Sequence, residues 1–209
     1  DAHFLLEQIG RNQQQYFINF NGTAGVWRKS CILDAGNWEG DTLTEDLDLS
    51  YRAQLKNWKF VYLDEVVTPA ELPITLDAIR SQQFRWNKGG AENFQKMIGR
   101  VMKSKNLSWK VKFNAAVHLL NSTMFFNVLI VSLLSVPVLF IKSKFDSLSL
   151  LFDLSGLFIL STLIFYTCYW FVHRTVFGSG IASFFHYTRR FLLFYCRVIG
   201  FSIHNSVAG

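Results

Sequence analysis

AAVHLLNSTMFFNVLIVSLLSVPVLFI, Ala115–Ile141, runs from end to end without an Asp, Glu, Lys or Arg. A bilayer core of about 30 Å is crossed by roughly 20 apolar residues in a helix, so this stretch reads as a membrane span. Leu148–Val172 reads the same way, with Asp153 near its entrance as its one charge. Phe184–His204 carries Arg189, Arg190 and Arg197. It reads either as a third span beginning near Phe191 or as an interfacial helix.

Outward from these runs the composition splits. Half of the 209 residues are hydrophobic and 17% are charged, against a usual charged share of about 25%. The deficit is concentrated after residue 113. Two parts are therefore expected. Residues 1–113 form a partial cytosolic domain with an amphipathic interfacial helix, and residues 114–209 form a membrane domain of two or three transmembrane helices. The net charge of +6 raises nucleic acid as a partner, but the positions of the cations exclude it. Lys96, Arg100, Lys103, Lys105, Lys110 and Lys112 crowd just before the first apolar run, where positive charge marks the cytoplasmic side. The loop Lys142–Asp146 is poorer in cations and is expected outside. The expectation is a multi-pass integral membrane protein of the plasma (inner) membrane with the lipid bilayer as a partner. The opening residues lack the basic and apolar regions of a signal peptide, so none is expected. The chain starts at Asp1 and stops at Gly209, so it reads as a piece of a longer protein. Cys31, Cys168 and Cys196 form no CxxC and read as buried thiols rather than as a metal site or a disulfide framework.

Within 1–113, Tyr16–Phe20 (YFINF) and Lys59–Val67 (KFVYLDEVV) read as strands. Trp27–Leu33 reads as a short helix. Thr44 stands at a helix N-cap, with Glu45 and Asp46 in the first turn. From Thr75 to about Arg100 the pattern is helical and amphipathic, with an interruption expected at Gly89-Gly90.

Acids in a first turn can simply complement the helix dipole. One of them can also act as a general base, because a sugar hydroxyl attacks only as a carboxylate takes its proton. Gln82 and Trp86 share a helix face with Arg85 beside them. Arg clamps phosphate oxygens with a planar fork, and Trp offers an apolar plate for a sugar ring. The alternative is an interfacial helix with Trp and Arg at headgroup level. Asn21-Gly22-Thr23 is a turn, or a backbone approach to a ligand that Gly permits. His118 and Asn121 are polar groups inside the first apolar run, either functional or hydrogen-bonded between helices.

Taken together, FNGTAGVWRK (Phe20–Lys29), DTLTEDLDL (Asp41–Leu49) and QQFRW (Gln82–Trp86), followed by membrane helices, resemble the family 2 processive glycosyltransferases. PAELP (Pro69–Pro73) adds likeness to the mannan-synthase and cellulose-synthase-like branch. The resemblance implies an α/β fold: the C-terminal half of a GT-A-type glycosyltransferase domain followed by α-helical transmembrane segments. It implies a nucleotide-diphosphate sugar donor, a glycan or lipid acceptor, and inverting hexose transfer. It assigns the base to Asp46, with Glu45 beside it in the catalytic pair. It gives substrate contacts to Asn21, Gly22, Thr23, Thr44, Gln82, Arg85 and Trp86. It also implies a divalent metal, Mg or Mn, in the full-length protein. The family's early aspartate and its D-x-D ahead of T-E-D are not found in this sequence, so no metal ligand is expected here and the piece alone is expected to be inactive. A lipid glycosyltransferase and a non-catalytic membrane or transport subunit remain as alternatives.

Overall fold

A computed structural model describes residues 3–22, 24–142 and 149–208. Thr23 and all of the Lys142–Asp146 loop beyond Lys142 lie outside the described residues. The chain divides into two compact units, His3–Phe126 (with the tail from His204) and Asn127–Ile203.

The first unit opens with a π-helical turn, His3–Gln8, that runs into α1 (Ile9–Gln13). Then come α2 (Lys29–Asp34), α3 (Glu45–Leu55), α4 (Leu76–Lys103), α5 (Trp109–Leu119) and a 3₁₀ turn at Leu120–Thr123. Phe17, Tyr51, Met97, Val101, Ala115 and Leu119 form its main core. A second cluster of Cys31, Ala35, Leu49 and Ala53 joins α2 to α3. α3 is thus buried on two sides, which fixes its position. The unit extends past residue 113 because α5 inserts Ala115 and Leu119 into that core. Tyr51 reinforces the junction, its hydroxyl 3.3 Å from the Ala115 carbonyl and 2.7 Å from His118 Nδ1. His118 therefore bonds to α3 rather than to another apolar helix.

Among the described residues no β-ladder forms. Tyr16–Phe20 and Lys59–Val67, expected as strands, are without regular structure. A strand exists only against a neighbouring strand, and here the neighbours are side-chain amides. Asn12 Nδ2 donates to the Phe60 carbonyl at 2.7 Å, and Tyr62 N–H donates to Asn12 Oδ1 at 3.2 Å. The long amphipathic helix is present as α4, capped by Thr75, whose hydroxyl accepts from Ala78 N–H. Contrary to the expected interruption, α4 continues through Gly89-Gly90.

One run, Trp109–Val138, with a mean hydropathy of 1.9, is long and apolar enough to cross a membrane among the described residues. The run is not uniform. α5 is partly buried in the first unit, whereas α6 (Met124–Lys142) exposes Ile130, Val131, Leu133, Leu134, Val136 and Phe140. The segment that is apolar all round therefore begins near Met124, not at Ala115. In the second unit α7 (Ser149–Phe177) and α8 (Ile181–Ala208) form a hairpin. Tyr166 and Trp170 of α7 pack on Phe184 and Tyr187 of α8. Cys168 and Cys196 are exposed on these helices, and only Cys31 is buried.

Candidate functional site

The extended segment before Gly22 is zipped to one stripe of α3. Gln54 brackets Ile18, accepting from its N–H at 3.0 Å and donating to its carbonyl at 2.7 Å. Ser50 Oγ accepts from Phe20 N–H at 2.9 Å and donates to the Asp46 carbonyl at 2.6 Å. Two residues later, Gly22 faces Asp46, whose Oδ2 lies 3.8 Å from where a Cβ on Gly22 would stand. The register is a coincidence of two rises. Two residues of extended chain advance ~6.6 Å and four residues of helix ~6.0 Å, so 18, 20 and 22 meet 54, 50 and 46 in antiparallel order. Gly22 has φ +72°, a conformation glycine adopts without the Cβ cost. Beyond it, Trp27 packs against Phe20, Trp38 and Phe60 at 5.1–5.9 Å between centroids, which pins the loop. Asn21 Oδ1 accepts from Asn19 Nδ2 at 2.6 Å.

Asp46 is half-buried and Glu45 is exposed. Burial raises the Asp46 pKa above the ordinary carboxylate value, and the Glu45 charge adds to this. The Leu47 N–H, 2.8 Å from Asp46 Oδ1, works in the opposite direction. Of these two acids, Asp46 is the one turned toward Gly22.

Thr44 occupies the N-cap position of α3 but makes no side-chain cap hydrogen bond. Its hydroxyl serves α4 instead. Asn93 Nδ2 reaches Thr44 Oγ1 at 2.9 Å, the Thr44 carbonyl at 3.1 Å and the Gly89 carbonyl at 3.0 Å. Gly89 abuts Thr44 so closely that a Cβ there would lie 2.5 Å from Oγ1. On its other side, Gly90 faces Ser122 of the 3₁₀ turn, 3.3 Å from a would-be Cβ. The glycine pair is thus a double contact surface, and that explains why the helix does not break. Glu92 accepts from Leu43 N–H at 2.8 Å.

Gln82, Arg85 and Trp86 lie one to two turns before Gly89 on α4. At ~100° per residue, Arg85 points within ~40° and Trp86 within ~60° of the Gly89 direction. Both are exposed, Trp86 by half, and Gln82 is partly buried. Neither the Arg85 nor the Trp86 side chain has a hydrogen-bond or ion-pair partner among the described residues.

Glu39, Asp41 and Asp48 bring three carboxylate oxygens within 4.8 Å of one another. These residues do not fit a divalent ion, because the position is filled. Lys96 Nζ lies 2.7 Å from Glu39, 2.7 Å from Asp41 and 2.9 Å from Asp48. Arg52 binds Asp48 Oδ2 at 2.7 Å and donates to the carbonyls of Ala35 and Asn37. The cluster is an ion-pair lock between α3, α4 and the 39–41 loop. Lys96, read from the sequence as part of the basic cluster, belongs to this lock.

Residues 3–173 match Glycosyl transferase family group 2, and the chain belongs to that family. Membership implies a GT-A-type domain. The chain is 45% identical over 126 residues to a probable glucomannan 4-beta-mannosyltransferase 4 of Oryza sativa subsp. japonica, covering 60% of this chain and 22% of the relative. It is 48% identical over 111 residues to glucomannan 4-beta-mannosyltransferase 1 of the same plant, covering 53% and 21%. Against glucomannan 4-beta-mannosyltransferase 7 of Arabidopsis thaliana it is 46% identical over 109 residues, covering 52% and 20%. The chain therefore spans about a fifth of the length of these curated relatives. No solved structure matches it.

Proposed function

We propose that the intact protein is a membrane-bound inverting glycosyltransferase that extends a β-linked glycan, using a mannosyl nucleotide diphosphate as donor. The supporting observation is the seating of Asp46, half-buried against Gly22 and held at the head of a helix that α4 grips through Thr44. The names of the relatives support mannose and a β-glycan product.

In this reading Asp46 takes the proton of an acceptor hydroxyl. The freed oxygen pair bonds to the donor's anomeric carbon, and the bond from that carbon to the diphosphate breaks with inversion. Arg85, aligned with Gly89 on α4, offsets charge on the departing diphosphate. Trp86 stacks on the acceptor sugar, with Gln82 beside it. Asn21 and Gly22 line the acceptor side, and Thr44 holds the head of α3. The strands of the GT-A α/β fold would come to Tyr16–Phe20 and to Lys59–Val67, the second of which carries exposed Val61, Leu63 and Val67. The described chain offers no metal site of its own, so no step here passes through one.

Residues 1–113 would face the cytosol, with α6, α7 and part of α8 in the bilayer of the plasma (inner) membrane. A cysteine placed in the Lys142–Asp146 loop should react with an impermeant thiol reagent on intact cells, and one placed near Lys103 should not. Activity is tested by radiolabel transfer from a panel of nucleotide sugars in membranes. Mannosyl label should enter polymer with the parent protein. Label entering only lipid, or none from any donor, would overturn the reading.

A further inference from the structure

We infer that Asn93 is a positioning residue for the proposed base Asp46, acting through Thr44. The inference rests on the reading of Asp46 given above. Asn93 is fully buried, and one amide nitrogen donates toward three oxygens: Thr44 Oγ1, the Thr44 carbonyl and the Gly89 carbonyl. The Thr44 carbonyl is also the first acceptor of α3, taking the Asp48 N–H at 3.2 Å. Asn93 thus grips the residue from which α3 starts, two positions before Asp46.

The consequence for Asp46 follows from what Thr44 does not do. A threonine at an N-cap ordinarily turns its hydroxyl back onto the first turn. Here that oxygen is taken by Asn93, and the Asp46 carboxylate itself accepts the Leu47 N–H. One Asp46 oxygen is therefore tied to its own helix and the other is left toward Gly22. Asn93 lies eight residues beyond Arg85, ~80° round α4 from it and within ~20° of the Trp86 direction. With the Gly89–Thr44 contact and the Lys96–Asp48 ion pair, it ties the head of α3 to the helix that carries Arg85 and Trp86, so this amide helps set the distance between base and donor contacts.

Misplacing a reacting group by about 1 Å costs on the order of a hundredfold in rate. In the intact membrane protein, Asn93→Ala should lower kcat by about that factor. Donor KM and inhibition by the nucleotide diphosphate should stay within about twofold, because Arg85 and Trp86 keep their own helix. Thr44→Ser, which keeps the accepting oxygen, should retain most of kcat, and Thr44→Val, of nearly the same shape without that oxygen, should not. Thr44→Val keeps the test decisive if Asn93→Ala fails to accumulate in membranes. A normal kcat in Asn93→Ala or Thr44→Val overturns the inference, as does a loss that appears equally in KM and nucleotide-diphosphate inhibition. Asp46→Asn, measured alongside, keeps the two ideas apart. Wild-type turnover in that variant removes the base assignment itself, whereas an inactive Asp46→Asn with a fully active Asn93→Ala removes only the positioning role.

Discussion

Gly89 and Thr44 meet so closely that no side-chain carbon fits between them: a Cβ on Gly89 would stand 2.5 Å from Thr44 Oγ1 and 2.9 Å from the Thr44 backbone nitrogen. A backbone atom cannot swing aside as a flexible side chain can. The helix carrying the Q-x-x-R-W motif and the N-cap of the helix that begins with T-E-D therefore meet closely because one residue has no side chain.

Gly89→Ala should push Thr44 away and lower transfer on the order of a hundredfold. Gly99 lies on the same helix, and its Cβ direction is open. Gly99→Ala should keep full activity and gain about 0.5–1 kcal/mol of helix stability. Initial rates and thermal unfolding of the two variants check this, and equal activity would show that the close contact is not needed for transfer.

Asp46→Asn should abolish transfer, since losing a general base costs about a hundredfold to ten-thousandfold. It should not weaken the fold. A carboxyl whose folded pKa is raised contributes stability below its unfolded pKa, and this is lost as pH rises through the folded value. At neutral pH the ionised Asp46 is therefore a cost, and the amide removes it. The variant's melting temperature should equal or exceed the parent's. For the same reason, the parent's kcat/KM should fall on the acid side around a pKa above the ordinary Asp value of about 4.

Lys96→Met leaves Asp48, fully buried, with Arg52 as its one cation. Breaking one arm of a buried pair costs about 3–5 kcal/mol, and the remaining Arg52 argues for the lower end. Hydrogen bonds from Lys96 are the main reason that Glu39 and Asp41 have depressed pKa values. Carboxyls with depressed folded pKa values stabilise above their unfolded values and lose that contribution as pH falls below them. The parent should lose stability as pH drops below about 4, and Lys96→Met should show a flatter profile there. Thermal melts across pH 3–7 provide the measurement.

Arg85→Lys should weaken nucleotide-diphosphate inhibition by about tenfold, because an ammonium lacks the planar fork. Trp86→Ala should leave that inhibition nearly unchanged and block synthesis, with Trp86→Phe keeping part of it by offering a smaller plate. Equal, near-normal synthesis in all three would show that this part of α4 is an interfacial anchor.

Much of the plan is legible in the residues. Apolar runs without charge announce long helices, because burying backbone in lipid leaves little other choice. The start of α3 at Glu45 and the Thr75 cap of α4 follow from local chemistry, since a cap depends on a few neighbouring atoms. T-E-D and Q-x-x-R-W carry the family likeness in their spacing alone. The strands were legible only as pattern, because a ladder needs partners that these segments do not find among the described residues. Gly89-Gly90 misleads as sequence: glycine lowers helix propensity, and nothing local says that two neighbours will press on it.

The sequence by itself determined the long helices, an apolar run able to cross a membrane and the two motifs, because each depends on contacts within a few residues. Tertiary structure alone decided which polar residues serve as structure and which face outward. As sequence, Asn93 carries no signal of its own, and Lys96 reads as part of the basic cluster before the first apolar run. Only the packing of α4 on α3 turns the first into a grip on Thr44 and the second into the cation at the centre of Glu39, Asp41 and Asp48. Gln54 and Ser50 became the partners of Ile18 and Phe20 for the same reason. Hydrogen bonds between residues thirty or more positions apart depend on where the chain returns, and that is set by the shared core around Tyr51 and Leu49 rather than by any local pattern.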